Sequence, residues 1–290
     1  MRKALSRFGA AFLLAMAAGV VQAQTCSDPD PLRIAVIPQM RNQTAAGHYD
    51  ALIDTLRDEL NRDIVLVPVG SYGAVVEGLL DGSIALAELG PGSYALARDR
   101  GTDVVAFASL HRQIDASGPS AYHSVLIVRR DAGVRSIEAL KGSSLSLVDP
   151  ASTSGAIVPR AALPRITGVP LETWFGRVSF SGSHDLAIDT VLNGRVAAAF
   201  VSDTRIKEVK YRGRPAADAL HIVWRSAPIP SDPFVYQNGL CKPVKQAIQR
   251  VFFERQEELQ PLFSWRGMRG FVPVSDSDYQ LLMQGEADDS

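Results

Sequence analysis

Two segments of this sequence concentrate groups able to hold an anion. The first is Leu145 to Pro159, LSLVDPASTSGAIVP, where an apolar strand run ends at Asp149-Pro150 and Ser152, Thr153, Ser154 and Gly155 open a helix. At a helix N-terminus the first backbone N–H groups have no partner, and the positive end of the helix dipole points the same way. Hydroxyls added there complete a donor set for an oxyanion, although the same residues also serve as ordinary helix caps. The second segment repeats the form: Val178 to Phe180, then Ser181-Gly182-Ser183-His184-Asp185, with His184 adding one tunable positive group. Two such turns, about thirty residues apart, can converge at the carboxyl ends of adjacent parallel strands, where open α/β sheets bind ligands.

Other chemistries lack their residues. Gly90-Pro91-Gly92-Ser93-Tyr94-Ala95 fits the dinucleotide pattern G-x-G-x-x-A, but the next strand runs into Ser109-Leu110-His111 without the acid that holds a ribose, so a tight turn is expected. No G-x-S-x-G or Walker loop exists. The two cysteines, Cys26 and Cys241, have no metal-ligand spacing, and no metal or cofactor is expected. In an oxidising compartment they are free to pair or to stay apart, since distance is not readable from sequence.

The elements that must position these groups alternate. Strands are expected at Arg33–Ile37, Ile64–Val69, Ile84–Glu88, Val104–Ala108, Ser124–Arg129, Leu145–Val148, Val178–Phe180, Ala197–Val201 and Ile222–Trp224. Helices are expected at Tyr49–Asn61, Tyr72–Leu80, from Ser93, at Ile137–Leu140, Leu186–Leu192, Pro243–Leu259 and near Asp278–Met283. Pro159 should kink or shorten the helix that it enters. Such alternation means an α/β fold. Ser117–Ser124 and the proline-stiffened Ser226–Tyr236 read as crossing segments between two lobes, or as plain loops.

The 290 residues are 46% hydrophobic and 21% charged, with 30 basic against 31 acidic side chains, a balance that argues against nucleic-acid binding by phosphate neutralisation. Arg2, Lys3 and Arg7, the apolar run Phe8 to Val21 and the small-residue site Val21-Gln22-Ala23 read as a cleaved export signal over residues 1–23. Gly285 to Ser290 reads as a disordered acidic tail.

In order and spacing, YHSVLIVRRD (from Tyr122), IEALKGSSLSLVDPASTSG (from Ile137), SGSHD (from Ser181), VLNGRVAAAF (from Val191) and SAPIPSDP (from Ser226) resemble the phosphonate, phosphite and phosphate substrate-binding proteins of ABC transporters. The resemblance implies a two-lobed type II periplasmic binding fold, with two open sheets flanked by helices and a double-strand hinge. Lobe one would be residues 24–123 plus 223–290, and lobe two residues 124–222. It implies a periplasmic, monomeric protein, not an enzyme, that closes on a small phosphorus oxyanion and passes it to a permease in the inner membrane. It assigns the ligand to Tyr72, Tyr122, Ser152, Thr153, Ser154, His184 and Asp232. Aminophosphonate binders of this family carry a further acid where this chain has Thr204. Asp203 stands next to it, and is included as a ligand candidate. A sensor-coupled receptor of the same fold, or an exported serine hydrolase using Ser152 or Ser154 with His184, are the alternatives.

Overall fold

The computed structural model of the chain describes residues 26–38, 47–112, 118–211 and 218–280. The expected signal (1–23) and acidic tail (285–290) lie outside them.

The chain opens with β1 (Leu32–Val36), α1 (Asp50–Leu60), β2 (Ile64–Leu66), α2 (Tyr72–Leu80), β3 (Leu86–Glu88), α3 (Pro91–Asp99) and β4 (Val104–His111). The short β5 (Ala121–Tyr122) leads to β6 (Ser124–Arg129), β7 (Ser144–Leu147), a π-helical turn (Thr153–Ile157), α4 (Val158–Thr167) and α5 (Leu171–Trp174). Then come β8 (Arg177–Phe180), α6 (His184–Leu192), β9 (Ala198–Ser202), α7 (Asp203–Tyr211) and β10 (Leu220–Arg225). The return runs through β11 (Ile229–Pro230) to β12 (Pro233–Gln237), α8 (Lys242–Phe253), α9 (Gln260–Arg266) and β13 (Gly270–Pro273).

These strands form two open sheets of mixed direction, the arrangement that the resemblance implies. The first has the order β13-β4-β12-β3-β1-β2, with β1 parallel to β2 and β3. The second has the order β10-β6-β9-β7-β8, with β7 parallel to both neighbours. A separate antiparallel ribbon, β5 with β11, pairs Tyr122 with Ile229 where the chain crosses between the sheets. The chain enters the second sheet at Ser124 and stays in it, past a bulge at Val223, until Arg225. Trp224 and Arg225 therefore pair with the strand that the sequence reading had put in the other lobe.

Periodicity explains the packing. α1 and α8 bury Leu52, Leu56, Ile248, Val251 and Phe252 against the first sheet, where Phe234, Phe252 and Phe271 meet with ring centroids 4.4 to 5.2 Å apart. A second apolar cluster is continuous from Val75, Val76 and Leu89 of the first sheet's layer to Val125, Val148 and Ile188 of the second. The two halves thus meet through apolar contact as well as through the ribbon.

Several elements differ from the sequence reading for local reasons. The expected tight turn at Gly90-Pro91-Gly92 is the start of α3, with Gly90 as N-cap and Pro91 in the first turn, where its missing N–H costs nothing. Pro159 is tolerated because the π turn ends at Ile157 and α4 starts afresh at Val158. The expected helix at Ile137–Leu140 is a single 3-10 turn, Glu138–Leu140. The long C-terminal helix breaks after Phe253 and resumes as α9. Of the helix expected near Asp278–Met283, a 3-10 turn over Asp276–Tyr279 is formed, and its remainder, 281–283, lies outside the described residues.

Cys26 and Cys241 form a disulfide, settling what the sequence left open. Beside it Ser27 N–H donates to Gly239 O and Cys241 N–H donates to Ser27 O, both at 2.8 Å, so the first described residues are stitched to the start of α8. The bond closes a loop of 215 residues. Cys26→Ser is therefore expected to lower stability by about 2–4 kcal/mol, read as a lower melting temperature under non-reducing conditions, with wild type falling to the same value once reduced.

Candidate functional site

Helix starts from both sheets face one cavity. Ser71 caps α2, accepting from Ala74 N–H at 3.1 Å; Ser152 caps the π turn, accepting from Gly155 N–H at 3.2 Å; Ser183 caps α6, accepting from Leu186 N–H at 3.3 Å. α3 and α7 start beside them, after β3 and β9. Each start follows a strand that runs parallel to its neighbour, so the N-termini gather at carboxyl edges, as open sheets require of a binding crevice. Tyr72, Gly90, Ser152, Thr153, Ser154, His184, Ser202 and Thr204 line the cavity from these starts.

The residues singled out from sequence can now be placed. Tyr72 is buried and its N–H donates to Asp149 Oδ2 at 3.3 Å. Tyr122 reaches the cavity from the ribbon. Burial first, and the Asp232 carboxylate second, push both phenols well above their ordinary range, so both hydroxyls remain donors. Thr153 Oγ1 accepts from Gly92 N–H at 2.8 Å, which leaves its own proton free to donate. That bond, the Tyr72 to Asp149 bond and Ser93 Oγ donating to Ala151 O at 2.8 Å join the elements of the first sheet to the turn after β7.

Glycine is needed at that contact. A Cβ on Gly92 would lie 2.6 Å from Ile157 Cδ1 and 3.2 Å from Thr153 Oγ1, and one on Gly90 would lie 3.0 Å from Thr153 Oγ1. The GPG run thus serves close approach of the two halves.

His184 is a neutral donor and not the cation that the sequence suggested. Ser202 N–H donates to its Nδ1 at 3.2 Å, which leaves the ring proton on Nε2. Burial, helped by the Arg205 guanidinium, pushes its pKa down to about 3.

Asp203 does not line the cavity, and this corrects its place among the ligand candidates. Its Oδ1 accepts from His123 N–H at 3.0 Å and its Oδ2 from Arg225 Nη1 at 2.8 Å. Burial alone would raise its pKa, but those hydrogen bonds outweigh it and hold the carboxyl below its ordinary range. Asp203 clamps the two crossing segments, while Thr204 takes the cavity wall, its hydroxyl 2.6 Å from Ser202 Oγ.

Five charged side chains also line the cavity, of which only Asp232 was expected. Glu88 at the end of β3 pairs with Arg266 of α9 at 3.0 Å and accepts from Tyr49 O–H. Arg205 of α7 pairs with Asp185 at 2.9 Å and with Glu208. Glu88 carries a signal in hindsight, a charge closing the apolar run IALAE, and Arg205 sits just inside a third strand-to-helix junction. Arg266 carries none, because nothing local marks a helix residue that must travel to another strand's end. Among the described residues no group of three His, Cys, Asp or Glu side chains is placed to hold a metal ion.

Asp232 is partly open to solvent yet deep enough that desolvation dominates; with Glu88 adding, its pKa is pushed from 3.8 up to about 7. Its ionised form is therefore harder to hold in the folded protein than in the unfolded chain. The stability linked to this carboxyl is fully present below pH 3.8 and is lost as pH rises through about 7. Asp232→Asn, which cannot ionise, is expected to melt about 2–4 °C above the ligand-free wild type near pH 8 and less than that near pH 5, by scanning calorimetry.

This arrangement offers oriented N–H and O–H donors and a neutral imidazole to an oxyanion, with carboxylates that limit how much negative charge enters. Known proteins resemble this chain in sequence and fold. A model of the family described as ABC transporter, phosphonate, periplasmic substrate-binding protein matches residues 34–279. The phosphate-import protein PhnD of Mycolicibacterium smegmatis is 27% identical over 270 residues, covering 87% of this chain and 83% of that one. The crystal structure of a binding protein component of an ABC phosphonate transporter from Pseudomonas aeruginosa superposes with a TM-score of 0.77 at 22% identity, covering 87% and 86% of the two chains. That of PhnD1 from Prochlorococcus marinus, in complex with methylphosphonate, gives 0.75 at 20% identity, covering 88% and 96%. The chain belongs to the family of periplasmic phosphonate substrate-binding proteins of ABC transporters, which bind for transport and are not enzymes.

Proposed function

We propose that the protein takes a compact phosphorus oxyanion, namely phosphate, phosphite or a small alkylphosphonate, into the cavity between its two sheets. It then presents the closed form, as a monomer, to an inner-membrane permease. Cleavage after residue 23 would release it into the periplasm.

The convergence of helix starts from both halves on one cavity carries this reading. Ser152, Thr153, Ser154, His184, Tyr72 and Tyr122 supply donors that need no reorganisation, because they stand on helix starts and a paired ribbon. The name of the Mycolicibacterium smegmatis relative, a phosphate importer, and the methylphosphonate in the Prochlorococcus marinus structure support the ligand class. The preference for a compact ligand rests on Thr204. An ammonium enclosed in a cavity needs a charged partner; the Thr204–Ser202 hydroxyl pair does not provide one, and of the cavity's carboxylates Glu88 and Glu208 are already paired with Arg266 and Arg205, which leaves only Asp232.

The two sheets would act as lobes, the first carrying residues 24–123 with the chain after Arg225 and the second residues 124–225. The ribbon and the Asp203 clamp would serve as their hinge.

Calorimetry on the purified protein with phosphate, phosphite, methylphosphonate, aminoethylphosphonate and sulfate tests the ligand. A compact phosphorus oxyanion is expected to bind more tightly than aminoethylphosphonate; the reverse order, or no binding by any of the panel, overturns the reading. Gly92→Ala should weaken the preferred ligand at least about fivefold, since overpacking costs about 1–3 kcal/mol where the halves meet. Asp203→Asn should lower the melting temperature and leave the order of ligands unchanged. Small-angle scattering is expected to show a smaller radius of gyration with ligand.

A further inference from the structure

Glu88 and Asp232 form a carboxyl pair whose geometry the sheet sets. In the register of β3 and β12, Glu88 stands opposite Phe234, and Leu89 N–H donates to Pro233 O at 3.0 Å. Asp232 therefore falls opposite Gly90, where a Cβ would lie 4.0 Å from Asp232 Oδ1. Directly opposite residues of an antiparallel pair share a face, so Glu88 and Asp232 are diagonal neighbours on one face, about 7–8 Å apart at the backbone. Both line the cavity.

Their surroundings differ. Glu88 is only 1% exposed and is held by the Arg266 guanidinium on one oxygen and the Tyr49 hydroxyl on the other. Arg266 also receives support from Tyr49, to whose hydroxyl oxygen Nη1 donates at 3.0 Å. Among the described residues Asp232 has no cation held against it in the way that Arg266 is held against Glu88. Facing it are Glu88 from β3, Arg266 from α9, and Arg205 and Glu208 from α7, with Arg205 already bound to Asp185 and Glu208. The phenols of Tyr49, Tyr72, Tyr122 and Tyr279 complete the surroundings and stay protonated. Burial disfavours the Asp232 carboxylate first and the Glu88 charge adds to it, so of the two carboxyls it is Asp232 that takes the proton.

We infer that Glu88 is a specificity-determining residue: its fixed charge makes Asp232 the cavity's proton carrier, so that an oxyanion is held with one proton shared between it and Asp232. This rests on the cavity being the oxyanion site. An anion that carries a P–OH brings the proton and donates it to ionised Asp232. A dianion without one is held only when Asp232 is protonated and donates to it, so above neutral pH its binding takes one proton from solvent. Sulfate, a dianion throughout the working range, takes that proton from solvent as soon as Asp232 is ionised, whereas methylphosphonate supplies it for as long as its own P–OH is protonated; above that point both bind with uptake of one proton. The neutral His184 and the buried phenols do not change protonation over that range, which leaves Asp232 as the group that sets the profile.

The test has a ligand-free and a ligand-bound arm. In ligand-free protein carrying carboxyl-labelled aspartate, the Asp232 resonance, assigned with Asp232→Asn, is expected to titrate near pH 7 in wild type. In Glu88→Gln it is expected to titrate at least about one pH unit lower. By calorimetry, sulfate affinity is expected to fall about tenfold per pH unit above that midpoint, and the onset of the fall should move down with Glu88→Gln. An unchanged midpoint in Glu88→Gln overturns the inference, as does sulfate binding that is absent or independent of pH. Should Glu88→Gln fail to fold, a wild-type Asp232 that titrates in the ordinary carboxylate range overturns it as well. Failure of the oxyanion reading itself would appear as no binding of methylphosphonate, an outcome on which the ligand-free titration does not depend.

Discussion

Backbone N–H groups that have no partner inside their own helix are the constraint on which this structure turns. Left in an apolar interior they would cost about 1–3 kcal/mol each, and left in water they would bind water. Here several helix starts are drawn to one place, where capping serines satisfy part of the demand and the starts open on one cavity. Parallel strand pairs make this possible, since successive strand-to-helix turns then emerge on the same edge. Two sheets with such edges facing each other line one cavity from both sides.

Donors alone would make an indiscriminate trap for anions. The cavity holds its negative charge in check with Glu88, Glu208 and Asp232 against Arg205 and Arg266. Buried ion pairs add little net stability, because desolvation of both partners offsets their attraction. Their effect lies in fixing charge in space. Arg266 and Tyr49 hold Glu88, and Asp185 and Glu208 hold Arg205, so neither guanidinium is a loose cation able to neutralise whatever enters. His184 follows the same logic: pinned by Ser202 N–H, it directs one proton without adding charge.

The contact between the halves is as specific as the cavity. Gly90 and Gly92 bring α3 within hydrogen-bonding distance of the turn after β7, and Thr153 is both a cavity residue and the acceptor of that bond. A side chain of the cavity wall thus also bonds the two halves together. Asp203 works on the other side of the same junction. By accepting from His123 in one crossing segment and Arg225 beside the other, it keeps the two crossings in register without entering the cavity.

Much of this was legible in the chain itself. Alternating β-branched and amphipathic runs fix α/β architecture because a strand and a helix bury one face with different periods. Hydroxyl-rich turns such as Ser152-Thr153-Ser154 and Ser183-His184 mark anion-capable helix starts, because unpaired N–H groups are a property of any helix start. Tyr72, Tyr122 and Asp232 were read through a family resemblance, and the fold brings them to the same cavity as those turns. What the sequence could not decide are the properties created by meeting across distance. Asp203 and Thr204 are adjacent in the chain, yet one clamps the crossings and the other walls the cavity, since successive residues at a helix start point in different directions. The neutrality of His184, the raised pKa of Asp232 and the pairing of Cys26 with Cys241 likewise depend on neighbours up to 215 residues away. Charge state and partner choice follow local dielectric and through-space distance, and only the folded chain sets those.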